Sequence, residues 1–217
     1  MIGLAPPPGP LEVLCLGAHP DDVEIGCGGT LLELAGRGDV TVSTVVLTAT
    51  PERRLEAEAA APRFFPGASV TVLDLPDGRL PQHWGAAKEA LEELGRQHTP
   101  DLLFAPRIDD AHQDHRLVGQ LASTVWRNTL ILHYEIPKWD ADLVPPTHYV
   151  PVSPANAQRK AELLNLSYPS QVHRDWWDDE LFLGLMRLRG IETRSRYAEG
   201  FHAAKVALSF NTQGDQS

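Results

Sequence analysis

The chain has 217 residues, of which 42% are hydrophobic and 22% are charged, and this length and composition are typical of one soluble globular domain. The 29 acidic residues outnumber the 19 basic ones. The resulting formal net charge of −10 argues against a nucleic acid or an anionic membrane as partner, because phosphates bind to basic surfaces. Without a secretion signal or an apolar run near the roughly 18 residues of a membrane span, we expect a cytoplasmic protein that does not enter membranes.

After a loose, proline-containing arm (residues 1–10), the first half of the chain alternates apolar strand-like runs with helical patterns. The predicted strands cover residues 11–18, 40–48, 69–75, 101–106 and 129–135. The predicted helices cover residues 28–38, 51 to about 62, 84–98 and 115–127. Apolar strands separated by helices predict a parallel sheet covered on both faces. We therefore predict a Rossmann-like, three-layer α/β/α fold with a mostly parallel sheet.

The chain changes character after about residue 136. We predict a short strand pair within the proline-rich stretch 137–154 and further helices over 155–166 and 178–190. This small C-terminal extension is expected to complete the pocket of a single domain over residues 11–217. The two cysteines, Cys15 and Cys27, are expected to be reduced and buried.

The first predicted strand ends in His19, Pro20, Asp21 and Asp22. Adjacent carboxylates repel each other, and a bound cation is one way to compensate them. At consecutive positions of a turn, Asp21 and Asp22 should point in different directions, so that one binds a metal while the other acts as a base. The glycine cluster that follows is not a dinucleotide-binding pattern, and we attribute it to tight packing of a helix start on the sheet.

A second polar motif, which contains His112, Asp114 and His115, follows the fourth predicted strand. The carboxyl ends of parallel strands meet at one rim, so the two motifs can come together. His19, Asp22 and His115 would then form a His₂-carboxylate set with a fourth position open, which is the arrangement of a catalytic zinc site. His112 would stay unbound, near the metal, and could donate a proton or stabilise an oxyanion.

Each motif by itself also has a simpler explanation. Carboxylates at a helix N-terminus interact favourably with the helix dipole, and a histidine-rich segment is often a solvated loop. Two such motifs, each after an apolar strand of the same predicted sheet, favour the metal site.

The two motifs, AHPDDVEIGCGGT and HQDHR, resemble those of the LmbE/PIG-L superfamily of zinc-dependent deacetylases. The segments RRLEAEAA, LPDGRLP, PDLLFAP, KAELLNLSYPSQ and YAEGF are also similar to its recurring blocks, so the resemblance covers residues 11 to about 205. Many members have proline where this chain has Gln113, a position that does not bind the metal.

The resemblance implies a Rossmann-like fold and removal of the acetyl group from an N-acetylated amino sugar by a zinc-bound water. By match to the motifs, His19, Asp22 and His115 correspond to the zinc ligands and Asp21 to the general base. His112 corresponds to the group that supports the oxyanion and protonates the leaving amine. Asp114 corresponds to an acidic partner of the histidine. Arg53 and Asp77 match positions that approach the sugar.

Several points stay open at the level of sequence. The substrate could be a free sugar, a nucleotide sugar or another conjugate, and a different first-row metal could replace zinc. A metal-dependent hydrolase of an unrelated amide or ester and a non-catalytic sugar-binding protein are the alternative functions. We expect Tyr134 and Glu135 to line the pocket, and Trp176 and Trp177 to pack in a core or to stack on a sugar. The C-terminal apolar residues suggest a homo-oligomer.

Overall fold

The computed structural model describes residues 3, 5, 6 and 8–208. The strands are β1 (Leu11–Gly17), β2 (Val40–Val46), β3 (Ser69–Val72), β4 (Leu102–Pro106), β5 (Leu130–Tyr134), β6 (His148–Val152) and β7 (Tyr197–His202). The helices are α1 (Asp22–Leu34), α2 (Pro51–Phe64), α3 (Trp84–Gln97), α4 (Gln113–Val125), α5 (Pro154–Ser167) and α6 (Asp179–Thr193), and a short 3₁₀ turn covers Leu80–His83. Part of the predicted N-terminal arm (1, 2, 4 and 7) and the predicted domain's last residues, 209–217, lie outside the described residues.

One seven-stranded sheet with the order β3-β2-β1-β4-β5-β7-β6 organises the chain. Strands β1 to β5 run parallel, and β7 is antiparallel to both β5 and β6. The predicted α/β fold class is therefore confirmed. The predicted strand pair within 137–154 is wrong, because only β6 forms there. Its partner is β7, some fifty residues later, and this long-range pairing leaves no local signal in the sequence.

Alternate residues of β1 point into two separate cores. Val13 and Cys15 belong to the core that also contains Phe64 of α2 and Leu163 of α5. Leu14 and Leu16 face the other side of the sheet, where they join the core formed with α3 and α4. Both faces are thus covered, as the continuous apolar character of the strands predicts. Both cysteines are free and buried, which agrees with the expectation from the sequence.

Helix α1 begins at Asp22, six residues before the predicted start, and it is interrupted at Cys27, where the backbone leaves helical geometry. The carboxylate of Glu199 accepts hydrogen bonds from the backbone N–H groups of Gly29 and Thr30, just past the break. Lys160 forms a buried ion pair with that carboxylate at 2.6 Å. The interruption is thus satisfied by polar groups of β7 and α5, which the local sequence does not reveal.

Helix α2 continues two residues beyond Pro62, past the predicted end. Helix α4 begins at Gln113, earlier than predicted, because His112 serves as its N-cap and accepts a hydrogen bond from the N–H of Asp114. Among the described residues, none of the helices combines the length and apolar character that crossing a bilayer requires.

The glycine cluster brings α1 into close contact with its neighbours. A Cβ atom on Gly26 would lie 2.2 Å from the ring of Tyr134, and one on Gly28 would lie 2.7 Å from the ring of Phe64. Both rings are buried within the core, so neither can move aside without cost. This confirms that the glycines serve tight packing.

The Gly26→Ala variant is therefore expected to lose about 1–3 kcal/mol in free energy of unfolding, because overpacking forces the core to shift. Gly184→Ala is the matched control, since this exposed glycine of α6 has open space around its Cα. The control should gain about 0.5–1 kcal/mol from helix propensity. Urea denaturation followed by circular dichroism measures both, and equal effects of the two substitutions would contradict the packing role.

Candidate active site

The polar motifs predicted from the sequence meet at the carboxyl ends of the parallel strands. His19 and its neighbours follow β1, Asp77 lies beyond the end of β3, and the segment that contains His112 follows β4. Contacts between side chains of all three segments show that they form one cluster. The prediction that the two motifs come together is confirmed.

Three predicted ligand side chains lie side by side in this cluster. His19 Nδ1 is 3.1 Å from His115 Nε2 and 3.5 Å from Asp22 Oδ2. His115 Nε2 is 3.2 Å from Asp22 Oδ1. Asp22 and His115 are almost fully buried, so bulk water does not satisfy these facing atoms.

These separations suit a single metal ion. Ligand atoms 2.0–2.1 Å from a tetrahedral zinc ion lie roughly 3.3 Å from one another, and the three observed distances bracket that value. Nitrogen and carboxylate oxygen donors are also the chemistry that zinc and related first-row ions accept. The residues present therefore fit a divalent cation.

The opposite edge of the His19 ring faces two other carboxylates. His19 Nε2 lies 3.1 Å from Asp77 Oδ1 and 3.3 Å from Asp114 Oδ2. The atoms of these three residues are close enough to form a second possible metal group. However, Asp114 already accepts hydrogen bonds from the backbone N–H groups of Gly78 and Leu80. We therefore interpret Asp114 as the acidic partner of His19, which orients the imidazole ring of that residue.

His115 has a similar carboxylate partner behind it. Its Nδ1 atom lies 3.3 Å from Asp110 Oδ2, which leaves Nε2 directed at the cluster. Asp110 is itself held by Lys138, whose ammonium is 2.9 Å from Oδ1. A carboxylate on the outer nitrogen of a metal-binding histidine fixes the ring and its tautomer. The sequence does not single out Asp110, which lies two residues before His112 and just outside the HQDHR motif.

His112 packs against both other imidazoles, with ring centroids 4.9 Å from His19 and 4.5 Å from His115. One of its ring nitrogens lies close enough to theirs to form a group of three potential ligands. Its Nδ1 accepts the hydrogen bond from the N–H of Asp114, so a neutral ring carries its proton on Nε2. Burial, together with His115 and His19, lowers the pKa of His112, which favours this neutral form.

Asp21 and Asp22 point to different partners, as expected for consecutive turn positions. Asp21 adopts a left-handed conformation with φ 93°, which is rare outside glycine. Its Oδ2 atom lies 2.5 Å from Arg53 Nη2, and Arg53 also donates to the carbonyl of Pro20. Burial raises the pKa of Asp21 to about 6, although the guanidinium of Arg53 opposes this shift. A carboxylate in this range suits a general base near neutral pH.

The charged groups of the cluster shift one another's pKa values. Burial alone would raise the pKa of Asp22, but the imidazoles of His115 and His19 hold it well below its usual range. Burial alone would lower the pKa of His115, but Asp22 and Asp110 raise it to about 9. A divalent cation requires neutral imidazoles, so a cation bound in this cluster would take the place of protons.

Two predicted pocket residues lie elsewhere. Tyr134 is fully buried, and its hydroxyl donates a hydrogen bond to the carbonyl of Leu16. Glu135 is buried and paired with Arg189, with both nitrogen–oxygen distances at 2.7 Å. Both residues are buried, so neither side chain is exposed at the rim where the sequence places it.

A further buried acid adjoins the cluster. The carboxyl group of Glu24, in the first turn of α1, accepts a hydrogen bond of 2.7 Å from the hydroxyl of Tyr168. Burial raises the pKa of Glu24 to about 7. The pair ties the segment after α5 to the helix that carries Asp22. Its sequence separation of 144 residues explains why motif spacing does not reveal it.

The fold and the cluster define an α/β protein with a possible metal site at the carboxyl ends of its strands. The family model described as PIG-L, GlcNAc-PI de-N-acetylase, matches residues 14–126, which is more than half of the chain. The chain belongs to the PIG-L family, and the resemblance noted in the sequence is confirmed.

Individual relatives agree with this assignment. An uncharacterized deacetylase of Escherichia coli is 33% identical over 139 residues, which cover 58% of this chain and 74% of that protein. Diacetylchitobiose deacetylase of Thermococcus kodakarensis is 31% identical over 127 residues, which cover 51% of this chain and 47% of that protein. The crystal structure of a conserved protein from Thermus thermophilus superimposes with a TM-score of 0.71 at 26% identity and covers 94% of this chain and 99% of that one.

Proposed function

We propose that this protein is a metal-dependent hydrolase that removes the acetyl group from an N-acetylated amino sugar or its conjugate. The observation that carries the proposal is the His/Asp cluster with a separate buried carboxylate, Asp21, beside it. A protein that only bound metal or sugar would not need this second carboxylate. Membership of the PIG-L family and the names of its deacetylase relatives support the same reaction class.

His19, Asp22 and His115 are the proposed metal ligands, and zinc is the proposed metal. When bound, such an ion supplies Lewis acidity and lowers the pKa of a coordinated water to about 7. Asp114 and Asp110 hold the outer nitrogens of the two imidazoles, so that His19 presents Nδ1 and His115 presents Nε2 to the ion.

Asp21 is the proposed general base. The Oδ2 atom of Asp21 forms an ion pair with Arg53, which holds the carboxylate in place. Its other oxygen, Oδ1, can then accept the proton of the attacking water. Fixing the base in this way means that little reorganisation is needed during the reaction.

His112 is proposed to support the developing oxyanion. With Nδ1 occupied by a backbone N–H, its Nε2–H group is the available donor. One such donor contributes about 3 kcal/mol to transition-state stabilisation. The leaving nitrogen must be protonated, and His112 donates its Nε2 proton to it. The proton that Asp21 accepts from the attacking water returns to His112, so the step balances and the ring ends neutral. The lowered pKa of His112 keeps the ring neutral between turnovers.

Arg53 and Asp77 are proposed to approach the sugar. The carboxyl side chain of Asp77 is 61% exposed and touches His19, which places it at the entrance of the cluster. We also propose that residues 11–217 form one domain, because β6 and β7 from the C-terminal part complete the same sheet.

The purified protein is expected to release acetate from at least one member of a panel of N-acetyl amino sugars. N-acetylglucosamine, diacetylchitobiose and a nucleotide-linked N-acetylglucosamine form the panel. Treatment with a chelator should abolish acetate release, and added zinc should restore it, because the ligand set is otherwise intact. Enzymatic quantification of acetate measures both effects.

The panel also separates the alternative functions. Chelator-sensitive cleavage of simple esters or amides without cleavage of any N-acetyl sugar would indicate an unrelated metal-dependent hydrolase. Binding of these sugars without acetate release would indicate a non-catalytic protein. Acetate release that persists without metal would contradict the proposed role of the cluster.

A further inference from the structure

An open groove of about 390 Å³ lies between the loop after β5 and the segment before α6. Its lining is mostly apolar and aromatic and consists of Pro137, Lys138, Trp139, Ala141, Leu143, Trp176, Asp178 and Leu181. Trp139 and Trp176 meet edge to face, with centroids 6.1 Å apart. A tryptophan that is 65% exposed, as Trp139 is, presents a large apolar surface to water.

The first wall of the groove is fixed to the candidate active site. Lys138 pairs with Asp110, the carboxylate behind His115. Asp142, in the same loop, accepts a hydrogen bond of 2.8 Å from the N–H of Ala111, which directly precedes His112. These contacts attach the loop to the segment that carries His112 and His115.

The second wall is tied to the other half of the site. Trp176 packs against Trp177, which is buried. The ring of Trp177 in turn packs against the ring of Tyr168, with the two ring centroids 6.1 Å apart. The hydroxyl of Tyr168 binds Glu24 in the first turn of α1, two residues after Asp22. Both walls are therefore connected to the proposed ligands through side-chain contacts, and on the first wall only Asp110 separates Lys138 from His115.

The charges in the groove have partners already. The ammonium of Lys138 lies between Asp110 and Asp142, and Asp178 caps helix α6 by accepting from the N–H of Leu181. A ligand that enters the groove meets aromatic faces and aliphatic side chains rather than free charge. Since a cavity of about 150 Å³ holds one benzene ring, the observed volume has room for a two-ring group.

We propose that this groove binds an apolar, ring-containing group carried by the amino-sugar substrate, with Trp139 and Trp176 as the residues that determine this specificity. The inference rests on the proposed deacetylase function, because it assumes that the sugar itself occupies the neighbouring cluster. It predicts that substrates with an aromatic aglycone are preferred over those with a small one.

The test compares acetate release from the methyl and the 2-naphthyl glycosides of N-acetyl-β-glucosamine by the metal-replete protein. We expect a kcat/KM at least about tenfold higher for the naphthyl glycoside, mainly through a lower KM. Trp139→Ala and Trp176→Ala should each reduce this preference by about threefold or more and leave kcat/KM for the methyl glycoside unchanged. Leu143→Trp, which fills the groove, should have the same effect with both tryptophans intact.

Trp84→Ala is the matched control, because Trp84 is 52% exposed and lies at the start of α3, outside the groove. It should retain the preference. Calorimetric titration with 2-naphthyl glucosaminide, which has no acetyl group, gives a second readout that does not depend on turnover. Its affinity should fall in the three groove variants only.

The outcomes distinguish the inference from the proposed function. No acetate from either glycoside, together with none from the sugar panel, would contradict the function itself. Equal kcat/KM for the two glycosides, or an equal loss for both in the tryptophan variants, would overturn only the groove. A change in oligomeric state of Trp139→Ala, measured by light scattering, would likewise overturn it, because the groove would then be an interface between copies of the chain.

Discussion

The Asp22→Ala variant is expected to lose bound metal and activity together. Asp22 is the only carboxylate among the three proposed ligands, and its oxygens lie 3.2 Å from His115 Nε2 and 3.5 Å from His19 Nδ1. Its removal leaves two neutral imidazoles, which hold a divalent cation far less firmly. Since outer-shell substitutions already cost about 10–100-fold in metal affinity or activity, the loss of a ligand should exceed about 100-fold.

The measurement is metal content by elemental mass spectrometry alongside acetate release from the preferred substrate. Asp22 also accepts a 2.8 Å hydrogen bond from the backbone N–H of His19, so alanine removes a structural contact as well. Asp22→Asn keeps an oxygen that can accept this bond but removes the charge, and it should also lose metal. Full metal occupancy in both variants would contradict the assignment of Asp22 as a ligand.

The sequence predicts the centre of this site because the required information is local. His19 and Asp22 lie within five residues of the end of β1, and His115 lies in the first turn of the helix that follows β4. The parallel order of the strands places their carboxyl ends at one rim. The division between Asp21 and Asp22 also follows from local geometry, because adjacent turn residues project in different directions. These features need no knowledge of distant contacts.

The surroundings of the site depend on contacts that local patterns do not encode. Asp110 was overlooked because an aspartate beside two histidines does not show which of them it will contact. The pairing of Glu24 with Tyr168 joins residues that are 144 positions apart. The sequence does not predict strand β7, because its partner β6 is distant along the chain. The burial of Tyr134 follows from the close approach of Gly26. Tertiary packing decides each of these outcomes.

Arg53 is where the structure adds most to the prediction from the sequence. Its proposed role was contact with the sugar, yet its guanidinium is directed at Asp21 and at the carbonyl of Pro20. The left-handed conformation of Asp21 is strained, and strain of this kind persists where surrounding contacts enforce it. Arg53 therefore helps to hold the proposed base, and the remaining donors of its guanidinium can still meet a substrate.

The Asp21→Asn variant is expected to keep its metal but lose turnover. Asparagine and aspartate are nearly isosteric, and none of the three proposed ligands is changed. The amide cannot accept a proton from the attacking water, and removal of a general base typically slows the reaction by about 10²–10⁴-fold. The loss should appear mainly in kcat, because the base acts as the transition state forms.

Metal content and steady-state kinetics on the same preparation separate the two aspartates. Asp74→Asn serves as the control, since it removes an exposed carboxylate just beyond β3 and should leave both readouts unchanged. If Asp21→Asn loses its metal while Asp22→Ala retains it, the two roles are reversed. If Asp21→Asn keeps near wild-type turnover, Asp21 is not the base. The expected pattern would explain the adjacent carboxylates, because the cation binds one of them, while Arg53 and the cation together offset the charge of the other.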